Sequence, residues 1–314
     1  MKQKVVAVVG PTASGKTSLS LALAKRFAGE IISADSMQVY REMSIGTAKP
    51  SMEEREGIRH HLMGHVSVEE SYSVAAYVEE AERTLLELQS RNIVPILCGG
   101  TGLYIDHLLF HTDFFDIPQD ESVRLFYQNI SKEYGGNALY TLLKEVDPIL
   151  ADKLHPNDTK RIIRGLEVWK LTGNRLSDYQ ASSHRESIYD VLWLGLTYDD
   201  RNKLYDRIDL RVDQMIQNGL LDEINHLVRA YKLSSTARAA IGYKEIIDAM
   251  ECNGSLEDAV ALVKQKSRNY AKRQLTWFNR NRDIHWFKVD LLDDESLLTQ
   301  ATNLVDVFLK GENV

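Results

Sequence analysis

The stretch GPTASGKT, residues 10–17, lies between the apolar run VVAVV and the segment SLSLALAKRF. It fits the pattern G-x-x-x-x-G-K-[ST], with Gly10, Gly15, Lys16 and Thr17 at the fixed positions and Pro11, Thr12, Ala13 and Ser14 between them. That pattern demands a buried strand, a tight glycine-bearing turn and a helix in immediate succession, and the flanking segments supply both elements. Such a loop binds an anion. Its backbone N–H groups and the helix N-terminus converge on one point, Lys16 adds a positive charge, and the Thr17 hydroxyl can ligate Mg²⁺. None of this chemistry requires ATP.

The rest of the first third continues the alternation of strand and helix. EIISAD reads as a second short strand ending at Asp35. A helix is expected from Ser73, a good N-cap, to about Ser90, with Val74, Tyr77, Val78, Ala81 and Leu85 on one face. IVPILC is a third buried strand, closed by GGTGLY. Units of this kind build a parallel sheet covered on both faces, so the fold class is α/β. From about Pro118 the texture changes: DESVRLFYQNISKEY, NALYTLLKEV, PILADKLH and DTKRIIRGLEVWKLTG all have helical spacing with no strand between them. The expected organisation is the first part of the core over 1–117, a helical insertion over 118–189, and the remainder of the core with C-terminal helices over 190–314. VLWLGLTY is expected to rejoin the sheet, helices to follow from about 200 to 230 and 255 to 280, and IHWFKV to form an edge strand before an amphipathic terminal helix.

Composition narrows the setting. The 314 residues are 44% hydrophobic and 26% charged, as in ordinary soluble proteins, and no run approaches the roughly 20 apolar residues that span a bilayer. The short apolar run at the N-terminus ends in the phosphate loop rather than in a small-residue cleavage site, so a cytoplasmic protein without a membrane partner is expected. Cys98 and Cys252 are too few for a disulfide framework and lack metal-ligand spacing; they read as reduced thiols. His60, His61 and His65 have no His-Glu-x-x-His pattern around them, and a structural role is expected. The net charge of −7 weighs against nucleic acid, yet residues 264–282, KQKSRNYAKRQLTWFNRNR, carry seven Lys or Arg and no acid, with Tyr270, Trp277 and Phe278 interleaved.

An ATP-hydrolysing loop usually has a companion Asp at the end of an apolar strand to help hold Mg²⁺. IVPILC ends instead in Gly99-Gly100-Thr101-Gly102. EIISAD does end in an acid, and Asp35 would lie at the carboxyl edge where open α/β sheets place their ligands. By itself Asp35 suits a metal ligand, a general base or a plain N-cap, and Thr101 suits a turn residue as well as a functional one.

Taken in order, GPTASGKT, ISADSMQVYREMSIGTAKP, GGTGLY, HPNDTKRIIRGLEVWKLTG, IGYKE and YAKRQLTWF closely resemble the bacterial tRNA dimethylallyltransferases, from the first strand to about residue 287. The resemblance implies a P-loop nucleotide-kinase-like core with a helical insertion. It also implies transfer of a five-carbon isoprenoid from dimethylallyl diphosphate to N6 of the adenosine immediately 3′ of the anticodon. On that resemblance Gly10 to Thr17 hold the donor, Lys16 meets its diphosphate, Thr17 faces Mg²⁺, Asp35 is the general base, and Arg211 works with Thr101 beside the leaving diphosphate. The tRNA contacts it implies are Asp35, Ser36, Met37 and Gln38 with Thr101; Arg124; Lys160, Arg161, Ile162, Ile163 and Arg164; Gly242 and Tyr243; and Lys272, Arg273 and Gln274. No protein partner is implied. Lys and Arg of the basic segment are expected on phosphates, and Trp277 and Phe278 as core anchors rather than stacking platforms. One departure is Gly165, where family members often have Ala; it is expected to weaken the helix by about 1 kcal/mol without touching the chemistry. Three rivals share the loop: a small-molecule kinase using ATP, a non-catalytic RNA-binding switch, and an isopentenyltransferase acting on free AMP or ADP. The first leaves the DSMQ and AKRQ segments without a role, and the last has no need of the insertion.

Overall fold

The computed structural model describes residues 2–110, 120–182 and 187–311. The chain divides into two compact units, Met1–Leu109 with Ser187–Val314, and Phe110–Glu186. The expected boundary at 117/118 lies outside the described residues, and Ser187 already belongs to the first unit.

The first unit is built on strands β1 (Lys4–Val9), β2 (Gly29–Ser33), β3 (His60–His61), β4 (Val94–Gly99), β5 (Asp190–Thr197) and β6 (Ile284–Lys288). They form one sheet in the order β3-β2-β4-β1-β5-β6, and every neighbouring pair is parallel. The strands read as VVAVV, EIISAD, IVPILC, VLWLGLTY and IHWFKV are all present, with β6 at an edge as expected. The two-residue β3 at the other edge has no sequence signal of its own. Val5 to Val9 are fully buried, which is why β1 is a continuous apolar run rather than an alternating one.

Helices α1 (Lys16–Arg26), α2 (Val74–Ser90) and α3 (Gly102–Phe110) follow their strands. Ser73 caps α2, its hydroxyl accepting from the Ala76 N–H at 3.1 Å. The second unit holds α4 (Glu121–Tyr134), α5 (Gly136–Val146), α6 (Pro148–Ala151), α7 (Thr159–Thr172) and α8 (Leu176–Ser182). Leu139, Leu143, Ile162, Leu166 and Val168 are in its own apolar core. Gly165 is needed there: a Cβ would come within 2.7 Å of Leu150 Cδ2 and 2.9 Å of Leu143 Cδ1, so its absence permits close packing against α7. The chain returns to the first unit with α9 (Arg201–Gln217), α10 (Leu220–Ala230), α11 (Ser235–Arg238), α12 (Tyr243–Glu251), α13 (Leu256–Phe278) and α14 (Asp294–Lys310). Leu19, Leu23, Val305 and Phe308 pack with Val6, Val8 and Leu194 of the strands in one cluster.

Of His60, His61 and His65, the last two are tied to carboxylates, and His60 Nδ1 lies 2.9 Å from the Ile58 carbonyl. His61 Nε2 lies 2.6 Å from Glu30, which also takes Arg91 at 2.7 Å, and His65 Nε2 lies 2.7 Å from Glu80. Phe278 is buried and Trp277 Nε1 donates to Asp106 at 2.9 Å, so both anchor α13.

One carboxylate sets the loop beyond β2. Glu223, in the first turn of α10, accepts the N–H groups of Ser44, Ile45 and Gly46 at 2.9, 2.8 and 3.2 Å, and the Tyr243 hydroxyl at 2.5 Å. Removing it leaves three backbone donors and a buried phenol without a partner. Glu223→Ala is therefore expected to lower the free energy of unfolding by roughly 2–3 kcal/mol, read as a shift in the urea midpoint without a change of slope.

Candidate functional site

At the carboxyl edge of the sheet a cavity of about 280 Å³ opens between the phosphate loop, the β2 and β4 ends, and helices α9 and α13. The loop reaches its shape only with unusual backbone angles. Gly10 has φ 144°, where a Cβ would press within 2.4 Å of the Leu196 carbonyl oxygen, and Ala13 holds the left-handed region at φ 62°. Thr12, Lys16 and Thr17 line the cavity. Lys16 Nζ donates to the Pro11 carbonyl at 2.5 Å. Burial lowers the Lys16 pKa to about 8, with Arg211 pushing the same way and Cys98 and Asp35 pulling against it.

Asp35 lies beyond the β2 end. Its Oδ1 accepts the Met37 N–H at 2.9 Å and the Gln38 N–H at 3.2 Å, the local turn that the N-cap alternative describes. Oδ2 has no hydrogen-bond partner among the described residues, and Asp35 is one of the residues that line the cavity. Arg211, from α9, also lines the cavity; burial lowers its pKa, Asp35 opposes the shift, and its Nε is buried without a partner among the described residues. Ser36 lines the cavity too, and its N–H donates to Thr101 Oγ1 at 3.0 Å, which ties the β4 turn to the Asp35 loop.

Ile208, Arg211, Val212 and Met215 project into the cavity from α9, and Val263, Ser267, Tyr270 and Gln274 from α13. Both sets have helical i, i+3, i+4, i+7 character, a signal present in the sequence. Only Arg211 and Gln274 of these were expected there. Tyr270, whose hydroxyl burial pushes up to about 12, and the apolar residues of α9 were missed because nothing in the chain says which helical face meets which loop.

Several expected tRNA contacts turn out to be packed or engaged. Tyr243 is 1% exposed with its hydroxyl on Glu223, although it and Gly242 border the cavity. Gln274 is 5% exposed, and both ends of its amide are hydrogen-bonded to backbone. Ser36, Met37 and Gln38 line the cavity, with Gln38 Nε2 donating to the Thr47 carbonyl at 3.1 Å. Arg273 reaches the cavity and lies over the Tyr270 ring at 5.5 Å, whereas Lys272 lies over Tyr205 in a separate hollow. The basic segment is less free than its composition implies. Lys264 pairs with Asp213, Arg268 with Asp209, and Arg280 stacks on Trp277, leaving Lys266, Lys272, Arg273 and Arg282 as its exposed cations without a carboxylate among the described residues.

The second unit sorts the KRIIR segment by face. Ile162 and Ile163, expected among the tRNA contacts, put their side chains into the core, because at helical spacing the apolar pair faces inward. Lys160 and Arg161 are exposed. Arg164 and Arg124 both grip the fully buried Glu167, at 2.6 and 2.9 Å. Their guanidinium groups are held in position by that carboxylate.

A parallel sheet, a phosphate loop with a desolvated lysine, a half-free carboxylate and a buried guanidinium define a P-loop α/β protein whose cavity suits acid–base chemistry beside a bound anion. The family profile described as IPP transferase matches residues 38–281, and the chain belongs to that family. It is 45% identical to a tRNA dimethylallyltransferase of Alkaliphilus metalliredigens over 312 residues, covering 99% of this chain and 97% of that one. It is 46% identical to the enzyme of the same name from Oceanobacillus iheyensis, covering 92% of each. Among solved structures it matches the full-length tRNA isopentenylpyrophosphate transferase of Bacillus halodurans with a TM-score of 0.74 at 42% identity, covering 99% and 98% of the two chains. A eukaryotic dimethylallyltransferase captured acting on tRNA matches with a TM-score of 0.81 at 31% identity, over 99% of this chain and 81% of that one.

The lowered Lys16 pKa gives a pH dependence with a definite sign. An anion on the loop favours the protonated lysine, so affinity is full below about 8 and declines as the pH rises through it. Calorimetric titration with inorganic diphosphate between pH 6.5 and 9.5 is expected to show that decline relative to a Lys16→Met protein, whose profile carries only the ionisation of diphosphate itself.

Proposed function

We propose that this protein transfers the dimethylallyl group from dimethylallyl diphosphate to N6 of the tRNA adenosine immediately 3′ of the anticodon, releasing diphosphate, in the cytoplasm. The observation that carries the reading is the meeting of Lys16, Arg211 and Asp35 in the lining of one cavity, in a chain of the IPP transferase family.

The chemistry asks for these groups. An exocyclic adenine amine is a weak nucleophile because its lone pair is delocalised into the ring, and it must lose a proton as it attacks. In the proposed step the N6–carbon bond forms, the carbon–oxygen bond to diphosphate breaks, and the N6 proton passes to Asp35 Oδ2 while Oδ1 stays fixed by Met37 and Gln38. Lys16, Arg211 and the loop N–H groups receive the charge that develops on the leaving oxygen. Thr101 is not itself in the cavity lining and would act there through Ser36, whose N–H it accepts. Ile208, Val212 and Met215 offer an apolar wall for the isoprenoid and help exclude water from a cation-like allylic carbon.

The oxygen donors of the loop suit a small hard cation: the Thr17 hydroxyl lines the same cavity as Lys16 and would share Mg²⁺ with phosphate oxygens of the donor. When bound, Mg²⁺ supplies further neutralisation of the diphosphate. The helical unit, taken as an insertion over about 118–189, is the proposed tRNA-contacting part, through Lys160, Arg161, Arg164 and Arg124. The target base must leave its stack to reach N6 chemistry, so binding to a single-stranded loop is the natural mode.

The decisive experiment offers labelled dimethylallyl diphosphate to an unmodified anticodon stem-loop with Mg²⁺, beside reactions offering ATP or free AMP. Label on the target adenosine is the expected result; label on AMP alone, or phosphoryl transfer from ATP, would replace this reading. Asp35→Asn, which keeps the Oδ1 turn, is expected to reduce kcat about 10²-fold or more while stem-loop affinity stays within a few-fold. Arg273→Ala is expected to weaken stem-loop binding at moderate salt and to reduce the slope of log K against log salt by about 1. An equal loss toward a free adenosine analogue would remove Arg273 from the phosphate-contacting role.

A further inference from the structure

Gln274 is on α13, yet its two amide atoms reach two other parts of the site. Oε1 accepts the Thr12 N–H of the phosphate loop at 2.8 Å, and Nε2 donates to the Gly100 carbonyl, at the end of β4 and next to Thr101, at 2.9 Å. The side chain is 5% exposed, and a Cβ on Gly100 would lie 2.1 Å from Nε2, so the amide rests directly on the β4 turn.

The loop needs an outside restraint. Ala13 holds a left-handed conformation that costs an L-residue roughly 1–2 kcal/mol, and such strain persists only where surrounding contacts over-determine it. Thr12, its neighbour, is fixed by Gln274, and the Tyr198 hydroxyl reaches the Ala13 carbonyl at 3.4 Å. The Gln274 amide is the stronger of the two by length, and it is buried where water would compete poorly for either bond.

We infer that Gln274 is a positioning residue: its amide holds the phosphate loop and the Thr101-bearing turn at a fixed separation, rather than contacting tRNA. It acts on the donor side through Thr12 and Gly100. Without it the loop samples other conformations, and the apparent affinity for the anion falls by the fraction of protein that remains competent. This rests on the proposed reading of the loop as a diphosphate site.

The test measures two affinities separately, inorganic diphosphate with Mg²⁺ in the absence of RNA, and the anticodon stem-loop in the absence of donor. Gln274→Met keeps the volume and removes both hydrogen bonds; Gln274→Asn keeps an amide too short to span both partners and serves if the first variant folds poorly. The expected result for both is about a tenfold loss of diphosphate affinity, which is near 1.4 kcal/mol, with stem-loop affinity unchanged and KM for dimethylallyl diphosphate raised more than KM for tRNA. Diphosphate affinity equal to wild type in both variants, or a loss confined to the stem-loop, would overturn the inference. Failure of the wild-type protein to bind diphosphate at all would instead overturn the reading of the loop on which it rests.

Discussion

Two cations, Lys16 and Arg211, are kept in one partly dehydrated cavity with the single carboxylate Asp35 among their charge partners. Burial disfavours the charged form of each, and Arg211 pushes Lys16 further down. Such an arrangement disfavours the charged forms in the free protein, and an anion placed beside the two cations would relieve it. Among the described residues the loop gives Lys16 only a carbonyl, and α9 leaves the Arg211 Nε unpartnered.

The walls of the cavity are held by hydrogen bonds that run between distant parts of the chain. Glu223 gathers three N–H groups of the loop after Asp35, Ser36 joins Thr101, and Gln274 joins the phosphate loop to the β4 turn. Each bond engages backbone groups that belong to no helix or strand ladder and would otherwise be costly to bury. The same logic appears in the second unit, where Glu167 lies in the core and holds Arg124 and Arg164 by their guanidinium groups. A buried carboxylate with two arginines fixes the direction of both side chains.

Charge composition overstated the interface. Seven cations in residues 264–282 look like a continuous phosphate-binding strip, but a helix presents them around its whole circumference. Those that face α9 meet Asp209 and Asp213, and Arg280 covers Trp277. Lys266, Lys272, Arg273 and Arg282 are the exposed remainder, and Arg273 also lines the cavity. The KRIIR segment divides for the same reason, with its isoleucines in the core and Lys160 and Arg161 outside.

By itself the sequence determined the strand–loop–helix around GPTASGKT, five of the six strands, the Ser73 cap of α2 and the family resemblance. These follow from short-range rules, namely apolar runs for buried parallel strands, glycines where φ must be positive, and a hydroxyl at a helix start. It also marked Asp35 as an acid at a strand end, though not that one oxygen would cap a turn and the other have no hydrogen-bond partner among the described residues. The tertiary structure alone decided which face of α9 and α13 closes the cavity, that Tyr243 is packed against Glu223, and that Gln274 bridges two loops 262 and 174 residues away. Contacts at that separation arise from how helices pack on the sheet, and packing depends on the shapes of both partners rather than on the local pattern of either.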